Sequence, residues 1–132
     1  MTKDLKAKLS KLQYEVTQNA GTERPFTGKF YREDREGDYR CICCDHILFD
    51  HTMKYDSGCG WPAFHTEHPE AGINKIRDTS HGMVRTEVRC GQCDAHLGHV
   101  FNDGPRDKSG IRYCINSASL SCLLYTSPSP RD

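Results

Sequence analysis

The chain has 132 residues, with 18 Lys and Arg against 18 Asp and Glu, so its formal net charge is zero. That length bounds it to one domain with a small core, and the charge balance lacks the basic excess of a nucleic-acid-binding protein. No apolar run approaches the length that spans a bilayer, and the charged N-terminus lacks the apolar core of a secretory signal, so a cytoplasmic monomer is expected, bound to neither nucleic acid nor membrane.

The first segment reads as helix. Leu5, Leu9, Leu12 and Val16 recur at helical spacing and predict one apolar stripe. Ser10 followed by Gln13 fits a capping box, which starts a fresh helix at Ser10, and Gly21 and Pro25 close the region. From Phe26 onward the apolar runs shorten and are broken by Gly, Pro, Asp and Asn. Residues 29–32 and 38–41 predict a hairpin around a turn at 33–37. Residues 73–78, 83–90, 96–101 and 111–116 predict further strands, separated by Ser80-His81-Gly82, Asp103-Gly104-Pro105 and Ser109-Gly110. The expected fold is mainly β and antiparallel, with N-terminal helices.

Eight cysteines are many for a chain in a reducing compartment, where thiols usually bind metal or do redox chemistry. Cys41 and Cys44 are separated by two residues, and so are Cys90 and Cys93. Two such knuckles supply four soft thiolates, which suit a closed, structural Zn²⁺ site. The gap between them exceeds that of common zinc fingers, so strands must bring them together. Cys43 offers Cys41 a second and less natural partner; the spacing of the second knuckle favours Cys44, with Cys43 a bystander.

Cys59, Cys114 and Cys122 remain. Arg112 and Asn116 lie two residues either side of Cys114, on its face of a strand, and the positive charge of Arg112 favours the reactive thiolate. His96 and His99 lie upstream, followed by Asn102 and Asp103, and a histidine near a cysteine can exchange a proton near neutral pH. Cys59 sits between glycines, so a loop thiol can visit a partner, and Trp61 beside it offers an aromatic wall. Singly, each of these residues is more often structural than functional; together they make a set of nucleophile, charge, acid and second thiol.

The stretches Tyr-Asp-Ser-Gly-Cys-Gly-Trp-Pro (55–62), His-Leu-Gly-His-Val-Phe (96–101) and Arg-Tyr-Cys-Ile-Asn-Ser-Ala-Ser-Leu (112–120) resemble the signatures of type B methionine sulfoxide reductases. Residues 16–30 and 80–93 are similar to that family too, and the likeness runs from about Ser10 to Leu120. The resemblance implies two antiparallel β-sheets, with a four-cysteine structural zinc site distal to the active site. It implies that Cys114 attacks the sulfoxide sulfur and becomes a sulfenic acid, while His99 protonates the oxygen. Arg112, held by Asp103, would stabilise the Cys114 thiolate. Trp61 would seat the substrate methyl group, with His96, Asn116 and Phe101 completing the substrate site. Cys59 would resolve the sulfenic acid as a disulfide, and thioredoxin would reduce that disulfide.

The sequence departs from the family at three places. Ala63 stands where a serine is usual, and Cys43 is an extra thiol; neither is expected to touch the chemistry. Residues 122–132 depart altogether. They resemble a transposase sequencing adapter translated in frame, so the expected domain is residues 1–121, truncated at its C-terminus, and Cys122 is expected to have no catalytic part. Two other functions compete. A zinc-ribbon binding module would explain the knuckles but not Cys59, Cys114, His99 and Asp103. A thioredoxin-type oxidoreductase would want its Cys-x-x-Cys in a βαβ unit, which the strand pattern does not offer.

Overall fold

A computed structural model describes residues 7–33, 35–79 and 82–125. Helix α1 (Lys11–Asn19) begins at Ser10 with the expected capping box: the Gln13 amide donates to Ser10 Oγ at 3.1 Å, and the Ser10 amide to Gln13 Oε1 at 2.8 Å. Ala20 ends it in the left-handed region, φ 56°, and the Gly21 amide closes back on the Glu15 carbonyl at 3.1 Å. Leu9 and Val16 are buried as the stripe predicts, but Leu12 is 51% exposed. The helix meets the protein only along the narrow line through Val16 and Thr17, so Leu12 is left at its side. Leu5 lies outside the described residues.

Nine strands follow among the described residues: β1 (Gly37–Cys41), β2 (Ile47–Asp50), β3 (Lys54–Tyr55), β4 (Ala63–Phe64), β5 (Asn74–Asp78), β6 (Arg85–Arg89), β7 (His96–Phe101), β8 (Arg112–Ile115) and β9 (Leu120–Leu124). They build two antiparallel sheets, a small one ordered β2-β1-β9 and a large one ordered β3-β4-β8-β7-β6-β5. The sheets meet through aromatic rings. Phe49 of the small sheet stacks on Phe64 of the large one at 4.0 Å between centroids, and Tyr39 and Tyr113 approach the same pair edge-on. Leu48, Leu97, Ile115 and Leu120 fill the rest of the interior.

The predicted hairpin does not form. Residues 29–32 are turns, with the Tyr31 amide bonded to the Gly28 carbonyl and the Glu33 amide to the Phe30 carbonyl. Phe30 is buried against Tyr39, and its amide is taken by Ser117 Oγ, so this segment has other partners than a ladder. β1 pairs instead with β2 and β9, neither of which the sequence pattern singles out. The strand expected from residue 83 starts at Arg85, leaving Met83 and Val84 exposed. Cys122, Leu123 and Leu124 lie in β9, with Cys122 opposite Tyr39; residues 126–132 lie outside the described part.

The β6–β7 ladder slips between Val88 and Arg89: Val88 pairs with Gly98 and Arg89 with His96, leaving Leu97 as an extra residue. An extra residue reverses the alternation of faces beyond it. His96 and His99, three apart and nominally on opposite faces, therefore come together with ring centroids 5.7 Å apart.

Candidate active site

Two thiol centres form, and they share no residue. The first joins the sheets. Cys41 ends β1, Cys90 follows β6, and each opens a tight turn of the same geometry. In one, the Cys41 amide donates to the His46 carbonyl and the Asp45 amide to the Cys41 carbonyl; in the other, Cys90, Ala95 and Asp94 repeat both bonds. Asp45 and Asp94 take the left-handed conformation at φ 67° and 66°. Arg40 and Arg89, each just before the first cysteine of its turn, reach these aspartates at 3.5 and 3.2 Å. The repeated unit is thus Arg-Cys-x-x-Cys-Asp, longer than the cysteine spacing alone. Gly91 is required in the second turn, because a Cβ there would meet the Gly72 carbonyl oxygen at 2.0 Å.

The sulfurs of Cys41, Cys44, Cys90 and Cys93 all lie within 4.8 Å of one another, with Cys41–Cys93 at 3.6 Å and Cys44–Cys90 at 3.5 Å. A tetrahedral site with metal–sulfur bonds of about 2.3 Å puts its sulfurs about 3.8 Å apart, so the cluster fits one metal ion. Cys43 is outside it and accepts a hydrogen bond from Gln18 at 3.5 Å.

The second centre lies on the large sheet. Antiparallel pairing sets Cys114 of β8 directly opposite His99 of β7, and Arg112 opposite Phe101. Cys59 comes from the loop before β4, turned by Gly58 and Gly60 at φ 74° and 97°. Its sulfur is 3.2 Å from that of Cys114. Both thiols line a cleft of about 290 Å³ whose walls include Trp61, His99, Phe101, Arg112 and Asn116. Arg112 is gripped by both carboxylate oxygens of Asp103, at 2.8 and 3.1 Å, and lies over the Phe101 ring at 4.4 Å. Asn116 is buried; its side chain donates to the Leu97 carbonyl and accepts from the Glu23 amide.

The thiol pair holds one proton tightly. The hydrogen bond from Cys114 lowers Cys59 to about 5. Cys114 is raised by that same hydrogen bond and then by burial, with the Arg112 guanidinium acting the other way. One thiolate is therefore shared between two sulfurs near neutral pH, and the second proton is retained.

His96 stands apart from the other expected site residues. It does not line the cleft: it is 4% exposed, bonded through Nδ1 to Glu87 at 2.7 Å, and burial holds its pKa down. Its Nε2 has no partner among the described residues. Ala63, expected to lie away from the chemistry, is the neighbour of Cys114 across the β4–β8 ladder, because the loop after Cys59 turns straight back into β4.

Three carboxylates in this region carry no signal in the sequence pattern. Asp78 bonds His99 Nε2 at 2.9 Å and is in turn approached by Arg85 at 3.4 Å. Glu87 holds His96. Glu23, 3% exposed, accepts from the amides of Ser117 and Ala118 at 2.9 Å each, and its carbonyl accepts from Trp61 Nε1 at 3.0 Å. No helix among the described residues is long and apolar enough to cross a membrane.

The sequence matches the SelR domain over residues 9–123. It is 61% identical over 115 residues, covering 87% of either chain, to the peptide methionine sulfoxide reductase MsrB of Pseudomonas entomophila strain L48. It is 59% identical over 115 residues, 87% of this chain and 86% of the relative, to the protein of that name from Pseudomonas putida strain W619. The Escherichia coli K12 / DH10B protein is 58% identical over 117 residues, 89% of this chain and 85% of its own.

Proposed function

From the premise that this chain belongs to the SelR-domain family, the type B peptide methionine sulfoxide reductases, we propose that it reduces peptide-bound methionine-R-sulfoxide with Cys114 as nucleophile and Cys59 as resolving thiol. The observation that carries this reading is the 3.2 Å approach of the two sulfurs inside a cleft walled by Trp61, His99 and Arg112. Passing the shared proton to Cys59 leaves a thiolate on Cys114, beside the guanidinium that Asp103 fixes. That thiolate attacks the sulfoxide sulfur while His99, oriented by Asp78, gives a proton to the oxygen. Methionine leaves and Cys114 keeps the oxygen as sulfenic acid. Cys59 then attacks the Cys114 sulfur, water departs, and a disulfide remains for thioredoxin to reduce. Trp61 seats the methyl group, with Phe101 and Asn116 closing the wall. His96 acts from behind, through its contact with His99.

The four-cysteine cluster holds structural Zn²⁺ in this reading. Four thiolates leave no open ligand position, and none of them lines the cleft.

A racemic methionine sulfoxide peptide tests the reaction. The R epimer should be consumed and the S epimer left, because one chiral wall places methyl, oxygen and lone pair; equal loss of both would sink the proposal. Cys114→Ser should abolish reduction, whereas Cys59→Ser should release about one methionine per enzyme and then stall with thioredoxin as sole reductant. The lowered pKa of Cys59 favours a second reading, in which Cys59 attacks and Cys114 resolves. The same two variants would then exchange behaviours.

A further inference from the structure

We propose that the reductant enters through a second cleft, on the far side of Cys59, and that its thiolate attacks Cys59 rather than Cys114. This rests on the Cys59–Cys114 disulfide of the preceding section. The second cleft encloses about 550 Å³ and is lined by Tyr55, Ser57, Asp103, Gly104 and Pro105, together with Cys59 and Arg112. Cys59 and Arg112 are the two residues it shares with the substrate cleft. Cys114 lines the substrate cleft alone. A thiol arriving by the second cleft therefore meets Cys59 first, while the Trp61 wall stays on the substrate side. The second cleft is also the larger of the two, about 550 against 290 Å³, which fits a loop of another polypeptide better than one side chain.

The exchange balances. A reductant thiolate forms a bond to Cys59 Sγ, the Cys59–Cys114 bond breaks, and its electron pair leaves on Cys114 Sγ. A lower-pKa thiol leaves faster; the Arg112 charge favours thiolate on both sulfurs, and on Cys114 a hydrogen bond from Arg112 adds to it. With Cys59 tied into the mixed disulfide, the hydrogen bond that raises Cys114 is gone. The reductant's second thiolate then attacks its own sulfur in the mixed disulfide and frees Cys59, which takes up a proton. The dithiol has been oxidised by two electrons and the enzyme reduced by two. Cys114 is returned as a thiolate already facing the substrate side.

The experiment starts from enzyme oxidised by one equivalent of methionine sulfoxide peptide, with the disulfide mapped by mass spectrometry. Absence of a Cys59–Cys114 disulfide at this stage overturns the preceding section and this inference together. With the disulfide in place, a thioredoxin whose resolving cysteine is serine is added as the probe. The expected product is a mixed disulfide on Cys59 with Cys114 free. A mixed disulfide on Cys114, or none at all, overturns this inference and leaves the proposed reaction standing. Pro105→Trp, which fills the second cleft, provides an independent readout. Its first, stoichiometric turnover should be unchanged, and its steady-state rate with intact thioredoxin should fall about tenfold. An unchanged steady-state rate overturns the inference.

Discussion

Single residues set the chemistry of the thiol pair. Below a pH of about 5 both sulfurs carry protons, and above it one is a thiolate, because the hydrogen bond from Cys114 lowers Cys59 from 9.0 to about 5. Thiolate is the reactive form, so the fraction able to react rises with pH through that value. Peptide-resolved alkylation by iodoacetamide at Cys59 should accelerate with a midpoint near 5; a midpoint near that of an ordinary thiol would refute the shared-proton description. Glu23 acts at the same scale without touching the sulfurs. Its carboxylate is the acceptor for two buried amides, and its carbonyl anchors Trp61. Each orphaned buried donor costs about 1–3 kcal/mol, so Glu23→Ala should lose about 3 kcal/mol in a urea titration, with altered Trp61 fluorescence because the loosened segment carries the main-chain carbonyl that Trp61 holds. A change within error at both readouts would contradict this. Nothing in Gly-Thr-Glu-Arg-Pro marks Glu23 as buried. Its two acceptor bonds go to residues 94 and 95 positions away, and only the fold supplies them.

At the scale of elements, local signals were readable and long-range ones were not. The Ser10–Gln13 box is complete within four residues, and α1 starts where it says. β7 matches its predicted span, because an apolar run bounded by a cysteine turn and Asn-Asp-Gly leaves little choice. β8 places Arg112 and Cys114 on one face, as alternation requires. The meeting of His96 with His99 was not readable as geometry, since it depends on one extra residue in a ladder whose partner strand lies elsewhere in the chain. The two-residue strands β3 and β4 are too short for any period to register. Asp78 reads as an ordinary strand end until β5 and β6 deliver it to His99. Gly98 shows how tightly this element is set. A Cβ there would stand 2.1 Å from the Cys114 carbonyl oxygen and 3.1 Å from Ile115 Cα, both main-chain atoms that cannot swing aside. Overpacking against side chains costs about 1–3 kcal/mol, and backbone yields less readily. Gly98→Ala should therefore lower the melting temperature by about 10 °C and cut activity by pushing β8 away from β7. A melting temperature within a degree or two of the parent would show that the two strands can separate freely.

For the whole molecule, the decisive question is what holds one sheet to the other. Aromatic packing does so on the inside, through Phe49, Phe64, Tyr39 and Tyr113. The four-cysteine cluster does so at the rim, since Cys41 and Cys44 belong to the small sheet and its following turn while Cys90 and Cys93 follow β6 of the large one. Four thiolates without a cation would repel at the 3.5–3.6 Å separations of the closest pairs. With a divalent cation the cluster still carries net negative charge, and Arg40 and Arg89 pair with the aspartate at the end of each turn. Such exposed ion pairs contribute little, so the ion itself must hold the two turns together. Structural zinc contributes on the order of 10 kcal/mol in small domains, comparable with the entire net stability of a domain, about 5–15 kcal/mol. Binding at such a site is folding free energy. Removing the ion should therefore unfold the chain rather than slow it. A Cys90→Ser, Cys93→Ser double variant, or the parent held with a strong chelator, should lose its cooperative thermal transition and its near-ultraviolet circular dichroism. The chelated parent should regain both when zinc is restored, and the double variant should not. Cooperative unfolding retained in the double variant would mean that the aromatic interface alone holds the sheets, and that the cluster is not the staple its position makes it.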